Sequence, residues 1–151
     1  RRCYFWPLFW QEERETSTLI DKVTRLLQDF NELEAAEPLC RAQVAGRTKK
    51  LGENHADTLD AVNNLAHLLH QLGKLEEAEP FSQRKLAGTR ATQGDNHPDT
   101  ITAIDTTSQL LSDLGRLEEA LPLKRESLRE KRRTLGDRHP DTLLSVGGAH
   151  F

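Results

Sequence analysis

A nine-residue pattern occurs three times in this chain of 151 residues, and it constrains the fold more than any other feature. The segment LGENHADTL at 51–59 returns as QGDNHPDTI at 93–101 and as LGDRHPDTL at 135–143, with a spacing of 42 residues both times. A second pattern, GKLEEAEP at 73–80, keeps the same register as GRLEEALP at 115–122 and, more weakly, NELEAAEP at 31–38. Self-similarity at a fixed spacing indicates an array of repeated units.

Each unit is predicted to contain two helices joined by a short turn. Apolar residues recur every three or four positions from Leu59 to Leu72, as on one face of a helix. Gly73 is expected to end this helix, and a second one is predicted from about Leu75 to Ala91. A lone helix pair cannot cover its own apolar face, so neighbouring pairs must stack, which predicts an all-α solenoid. The inward positions are Leu59, Val62, Leu65, Ala66, Leu69 and Leu72, then Leu75, Ala78, Phe81 and Leu86.

The register divides the chain into units 15–50, 51–92 and 93–134 and a partial unit 135–151. The N-terminal segment 1–14 does not fit the repeat, and Tyr4–Trp10 holds five of the eight aromatic residues, including both tryptophans. We expect this segment either to cap the apolar face of the first unit, to belong to a neighbouring region, or to dock elsewhere. Because the sequence starts at Arg1 and stops within a repeat, it is expected to be part of a longer protein.

Composition excludes several classes of function. A net charge of −3 and a pI near 6.1 argue against nucleic acid as a partner. The apolar stretch from Cys3 to Trp10 is too short to span a membrane, and no signal-peptide cleavage site follows it. Two cysteines, Cys3 and Cys40, are too few for a disulfide framework or a zinc site, which favours a reducing, cytoplasmic location.

The residues of the second unit resemble a known family. The motif NLAxxLxxxGxLEEAEP from Asn64 to Pro80, followed by LGxxHPDT, is similar to the long tetratricopeptide repeats of kinesin light chain and nephrocystin-type proteins. The resemblance runs from Glu15 to the C-terminus and implies a right-handed solenoid of about three full repeats and a truncated fourth. It also implies a non-catalytic scaffold whose first helices line a concave groove for a peptide or a partner helix. One departure is that Gln43, Lys85 and Ser127 stand where these repeats usually place a small residue.

Carried over position by position, the resemblance implies a polar groove. An Asn side chain can donate and accept, so it suits a peptide backbone, although Asn63 and Asn64 could equally cap or solvate their helix. Asp21 and Asp105 favour a basic or neutral polar partner, and only Asn64 matches the clamp that some tetratricopeptide proteins use for a C-terminal carboxylate. The groove positions are Asp21, Arg25, Gln28 and Asp29 in the first unit, Asp60, Asn63, Asn64, His67, His70 and Gln71 in the second, and Thr102, Asp105, Gln109, Ser112 and Asp113 in the third.

Neither a metal site nor an active site is predicted. His55 and His97 stand two residues before Asp57 and Asp99, and His139 repeats the arrangement before Asp141. One such pair per unit supplies two ligands at most, whereas zinc needs three or four, so each His is expected to cap its helix or pack in its loop. No phosphate-binding loop or nucleophile motif is present, and no cofactor is expected.

Two other functions stay open. The array could space other domains or assemble with itself, leaving the groove empty. Alternatively, the second helix of the third unit, 121–134, could present a basic convex surface to an anionic partner. Its cations are Lys124, Arg125, Arg129, Lys131, Arg132 and Arg133.

Overall fold

The computed structural model describes residues 19–27, 30 and 32–135, and all of the regular structure in these ranges is helical. We label the helices α1 (19–27), α2 (Leu33–Leu51), α3 (Ala56–Gln71), α4 (Leu75–Gln93), α5 (Pro98–Asp113) and α6 (Leu117–Leu135). Several predictions lie outside these ranges: the aromatic segment, the start of the first unit at Glu15, Gln28, Asp29, the His139–Asp141 pair and the partial unit beyond Leu135.

The turn inside the second and third units is set by one glycine. At the end of α3, the Gly73 amide donates to the carbonyl of His70 and the Lys74 amide to that of Leu69, at 3.0 and 2.9 Å. This pair of bonds satisfies the last carbonyls of the helix and needs a positive φ, which is 73° at Gly73 and 77° at the equivalent Gly115. The second helix starts at Leu75, as predicted, and continues two residues past the expected end, to Gln93.

Histidine begins the first helix of the second and third units. Nδ1 of His55 accepts a hydrogen bond from the Asp57 amide, and Nδ1 of His97 accepts one from the Asp99 amide, both at 3.2 Å. Each His therefore satisfies one backbone N–H that the helix leaves without a partner, while the following Asp lies near the positive end of the helix dipole. This confirms the capping role expected for these two histidines.

Consecutive helices pack side by side, so the chain folds back and forth as a stack. The main apolar cluster runs through four helices, α2 to α5, and a smaller cluster joins α4, α5 and α6. Every inward position predicted for the second unit is buried or half-buried. The larger cluster contains Ala36, Cys40, Val44, Ala61, Val62, Leu65, Leu68, Leu69, Ala78 and Leu110, and the smaller one contains Leu86, Ala103 and Ile104.

The third unit buries hydroxyl groups where the second has apolar ones. Thr107 and Ser108 are buried on α5 at the places that Leu65 and Ala66 take on α3. The Thr107 hydroxyl donates to the carbonyl of Ala103 at 2.8 Å, and the Ser108 hydroxyl donates to that of Asp105 at 2.9 Å. Because each hydroxyl bonds a backbone carbonyl of its own helix, it is buried without an unpaired polar atom.

Candidate peptide-binding surface

The predicted groove residues lie on α1, α3 and α5, and we call them the first-helix surface. None of the described members is buried, which is the first requirement for contact with a partner. The exposed members are Arg25, Asp60, Asn64, His67, Gln71, Thr102, Gln109 and Asp113, and the half-buried ones are Asp21, Asn63, His70, Asp105 and Ser112.

Four residues of α3 present polar groups that the described part of the chain leaves without a side-chain hydrogen bond. Asn63, His67 and Gln71 follow one another at four-residue spacing, and Asn64 lies beside them, so all four share one side of the helix. Leu65 and Leu68 of the same helix are buried in the core and fix its orientation. The structure therefore displays two amides from Asn, one amide from Gln and one imidazole together on α3.

The acidic members of the surface, in contrast, already have partners within the fold. Asp21 accepts a hydrogen bond of 2.7 Å from Arg47 on α2, and Asp60 accepts one of 2.9 Å from Lys85 on α4. On α6, both Lys131 and Ser127 contact the Asp105 carboxylate.

This pairing bears on the kind of partner expected from the sequence. Asp21 and Asp105 do not offer an unpaired negative charge to a basic partner, because a cation of the second helix already faces each of them. A charge that is matched inside the protein contributes little to steering an oppositely charged ligand. The polar character of the surface is thus carried by its neutral amides.

The second-helix partners follow the repeat register, and sequence reasoning missed them. Arg47, Thr89 and Lys131 are equivalent positions 42 residues apart, as are Asp21, Asn63 and Asp105. Arg47 pairs with Asp21, and Lys131 pairs with Asp105. A cation occurs where the first helix carries Asp, and neutral Thr89 occurs where it carries Asn63. Comparing charges at equivalent positions, rather than along one helix, is the signal that would have found these pairs.

The residues that depart from the family pattern have a related role. Gln43 donates to the Thr24 hydroxyl at 3.2 Å, Lys85 to Asp60, and Ser127 to Asp105. In each unit this position of the second helix supplies a polar donor to the first helix. The larger side chains at Gln43 and Lys85 each end at a polar partner, the buried Thr24 hydroxyl for Gln43 and the exposed Asp60 carboxylate for Lys85.

One contact crosses the first-helix surface from the second unit to the third. Nε2 of His70 lies 2.6 Å from Oδ2 of Asp113, and the Gln109 amide donates to the other oxygen of that carboxylate at 2.9 Å. His70 is on α3 and Asp113 on α5, so the contact joins neighbouring units. It links the two helices across the surface.

A separate set of ion pairs joins neighbouring units through the starts of their second helices. Lys74 donates to Glu37 at 2.7 Å, and Arg116 donates to Glu79 at 2.6 Å, at equivalent places of successive units. Hydrogen bonds from Lys74 and from Arg41 lower the pKa of Glu37 below its ordinary value of 4.5. The Glu37 carboxylate is therefore held in its charged form.

Several cationic side chains of the basic helix α6 form ion pairs within the fold, which its sequence alone does not show. Lys131 contacts Asp105 of its own unit, so it does not belong to an outward basic surface. Arg129 and Arg133 both bond the buried carboxylate of Glu130, at 3.2 and 3.0 Å. At least three of the six predicted cations thus have acidic partners within the fold, which weakens the interpretation of this helix as an anionic-surface binder.

Two further findings concern the described residues only. Between residues 19 and 135, apart from positions 28, 29 and 31, no three side chains of His, Cys, Asp or Glu lie close enough together to hold a metal ion. None of the described helices is both long enough and apolar enough to cross a membrane.

Cys40 is a free thiol in the core, where burial raises its pKa and keeps it protonated.

Comparison with known proteins agrees with this geometry. Residues 57–129 match the tetratricopeptide repeat family profile. The structure also resembles the crystal structure of kinesin light chain nearly identical TPR-like repeats from Podosopora anserina, with a TM-score of 0.78 and 22% identity over 87% of this chain and 63% of the other. BtubC (BKLC) from P. vanneervenii gives a TM-score of 0.76 and 16% identity over 88% of this chain and 54% of the other. No curated protein sequence matches the chain.

The described helices form an all-α solenoid with the fold of tetratricopeptide-repeat structures, and residues 57–129 match that repeat family. The resemblance to kinesin light chain TPR-like repeats agrees with the prediction made from the 42-residue motif. The chain spans between about half and two thirds of the length of these two structures. Repeats of this class are generally protein-interaction modules without catalytic activity.

Proposed function

We propose that this chain is a non-catalytic scaffold that binds an extended peptide or a partner helix on its first-helix surface. The observation that carries the proposal is the contrast between two groups of polar residues. The acidic residues are paired within the fold, whereas Asn63, Asn64, His67 and Gln71 expose hydrogen-bonding groups with no side-chain partner in the described part of the chain.

The chemistry of these groups indicates the kind of ligand. Each Asn or Gln amide can donate to a carbonyl and accept from an N–H, which matches a peptide backbone. Such bonds are formed with any sequence, so selectivity has to come from the neighbouring side chains. We therefore propose a ligand that is neutral or mixed in charge and not strongly basic.

The location is part of the same proposal. We propose a cytoplasmic protein, because Cys40 is a free thiol in the core and the sequence contains only one other cysteine, Cys3. Reduced cysteines are typical of that compartment.

Affinity capture from cell extract, followed by titration with the purified partner, tests the function. The test variant combines Asn63→Ala, Asn64→Ala and His67→Ala. Three lost hydrogen bonds at about 0.5 to 1 kcal/mol each weaken binding by roughly tenfold or more. The matched control combines Gln83→Ala, Thr92→Ala and Gln93→Ala, which removes three exposed polar side chains from α4.

Circular dichroism and thermal unfolding first establish that both variants are folded. The proposal holds if the control binds like the native chain while the α3 variant loses the partner. Equal binding by all three proteins refutes it and directs attention to α6, where strong salt dependence would be the sign of an anionic partner. Mass that rises with concentration in light scattering, with no partner captured, would instead support a self-assembling spacer.

A further inference from the structure

The first unit carries a row of exposed apolar side chains. Among the described residues, six large hydrophobic side chains are exposed, and four of them lie between positions 19 and 30. The exposed fractions are 57% for Leu19, 45% for Val23, 55% for Leu26 and 77% for Phe30. We call these four residues the α1 apolar row, and their spacing of three or four residues places them on one side of the chain.

The repeat register shows what this row is built for. The residues 42 positions later, Ala61, Leu65, Leu68 and Leu72, are buried or half-buried and belong to the main apolar cluster together with α2 residues of the preceding unit. The α1 apolar row is therefore a unit-stacking surface that no described residue covers. Stacking surfaces of this kind have to be capped at the end of a repeat array.

The aromatic segment Tyr4–Trp10 has the composition of a cap. Its seven residues are Tyr, Phe, Trp, Pro, Leu, Phe and Trp, none of them charged, and the polar sequence QEERETST at 11–18 separates it from α1. Aromatic side chains bury large apolar areas, and Tyr and Trp tolerate a partly wet boundary because each has a polar atom.

The linker is long enough for the segment to reach the row. Eight extended residues span about 26 Å, whereas the row covers only about 10 Å between Leu19 and Leu26 along the helix. A short tether also gives the segment a local concentration in the millimolar range, which favours it over a second copy of the chain.

We propose that Tyr4–Trp10 packs across the α1 apolar row and caps the first unit from within the same chain. The segment takes the place that the preceding unit takes for α3. This role is independent of the peptide-binding function proposed above, because it concerns the end of the stack and not the first-helix surface.

Tryptophan fluorescence of the full chain tests the cap directly, because Trp6 and Trp10 are its only tryptophans. The native chain should emit at shorter wavelength than the urea-unfolded chain and resist quenching by acrylamide. Val23→Glu combined with Leu26→Glu should shift the emission to longer wavelength and raise the quenching constant several-fold. The control, Ala42→Glu with Ala45→Glu, adds the same charge at exposed positions of α2 and should behave like the native chain.

The native chain alone can overturn the proposal, even if the Glu variant fails to fold. Tryptophans that are as accessible to acrylamide as in urea contradict it. Protection that disappears on dilution, together with falling mass in light scattering, also contradicts it and shows that a second copy covers the row. Protection that is independent of concentration but unchanged in the folded Val23→Glu and Leu26→Glu variant places the segment elsewhere and equally refutes the cap.

Discussion

The ammonium group of Lys85 lies 2.9 Å from Oδ1 of Asp60, and the lysine side chain that carries it is only 9% exposed. Asp60 is 65% exposed, so the pair is buried on one side and hydrated on the other. The two residues therefore differ in what happens when either is removed. A buried cation that loses its partner keeps its desolvation cost, whereas an exposed carboxylate that loses its partner returns to water.

This asymmetry gives the first prediction. Asp60→Ala should lower the free energy of unfolding by about 1 to 3 kcal/mol, because it leaves Lys85 buried without an acceptor. Lys85→Met should change it by less than about 1 kcal/mol, since the apolar stem is kept. Urea denaturation measures both values, and the double variant should recover most of the loss caused by Asp60→Ala. Equal costs for the two single variants would contradict the asymmetry.

Replacing each of two equivalent glycines with alanine should change the free energy of unfolding in opposite directions. A Cβ atom at Gly88 would lie 2.5 Å from Cδ2 of Leu59, a buried core residue, whereas at Gly46 it would meet nothing within 4 Å. Gly88→Ala should therefore destabilise the fold by about 1 to 3 kcal/mol through overpacking. Gly46→Ala should stabilise it by about 0.5 to 1 kcal/mol, because alanine is the better helix former.

Denaturant unfolding shows whether each variant is more or less stable than the native chain. Repeating the Gly88→Ala measurement in a second variant tests whether Leu59 causes the loss of stability. In Leu59→Ala, which removes the contacting atoms, Gly88→Ala should no longer destabilise. A loss of the same size in both backgrounds would show that the contact with Leu59 is not responsible.

Acid should weaken the ion pair between Glu37 of the first unit and Lys74 of the second. The pKa of Glu37 is lowered by hydrogen bonds from Lys74 and Arg41, so this residue stabilises the fold above 4.5 and loses that contribution as the pH falls through its folded pKa. Glu37→Gln should cost about 0.5 to 1 kcal/mol at neutral pH, the size typical of exposed ion pairs. It should also flatten the fall of Tm between about pH 5 and about pH 3.

The matched control is Glu34→Gln on the same helix, since Glu34 is exposed and makes no side-chain hydrogen bond to the described residues. This variant should keep the acid dependence of the native chain. If both variants retain the native profile of Tm against pH, Glu37 is not the group that couples acid to unfolding.

The histidine cap of α5 gives the fourth prediction. His97→Ala removes the acceptor for the Asp99 amide and should lower the free energy of unfolding by about 0.5 to 2 kcal/mol. His97→Asn places another good capping acceptor there and should recover most of this loss. The neighbouring Asn96→Ala serves as control in the same thermal unfolding experiment. A loss of equal size from Asn96→Ala would point to the loop rather than to the cap.

The fold was predictable from the sequence because its determinants are local and repeated. Gly73 recurs as Gly115, and both end a first helix with the same pair of backbone bonds. Leu59, Val62 and Leu69 show the helical period on one side of α3 and are buried together. Each such signal lies within one turn or one helix, and its repetition at 42 residues removes ambiguity.

The electrostatic part of the candidate surface was not predictable in the same way. Asp21 and Asp105 looked like free charges because Arg47 and Lys131 are 26 residues away in sequence, on a different helix. The packing of the two helices decides whether the side chain of the Arg or Lys reaches such a carboxylate. The hydrophobic periodicity within one helix does not specify that packing. Asn63 and Thr89, the neutral residues at the equivalent positions of the second unit, become informative only after the pairs of the other two units are known.

The contacts of Glu37 with Lys74 and of Glu79 with Arg116 have a consequence for how an array of this kind can grow. The second unit, 51–92, carries both halves of this contact: Glu79 for the unit that follows and Lys74 for the unit that precedes. Duplicating a cassette such as 51–92 in tandem would therefore create a new junction with both halves of the contact already present. Leu121 occupies the position at which the third unit would carry the acid. A unit added after the third one could therefore not form this ion pair and would need other contacts. Tandem copies of 51–92 should therefore keep this ion pair at each new junction, whereas a junction that follows the third unit should lack it.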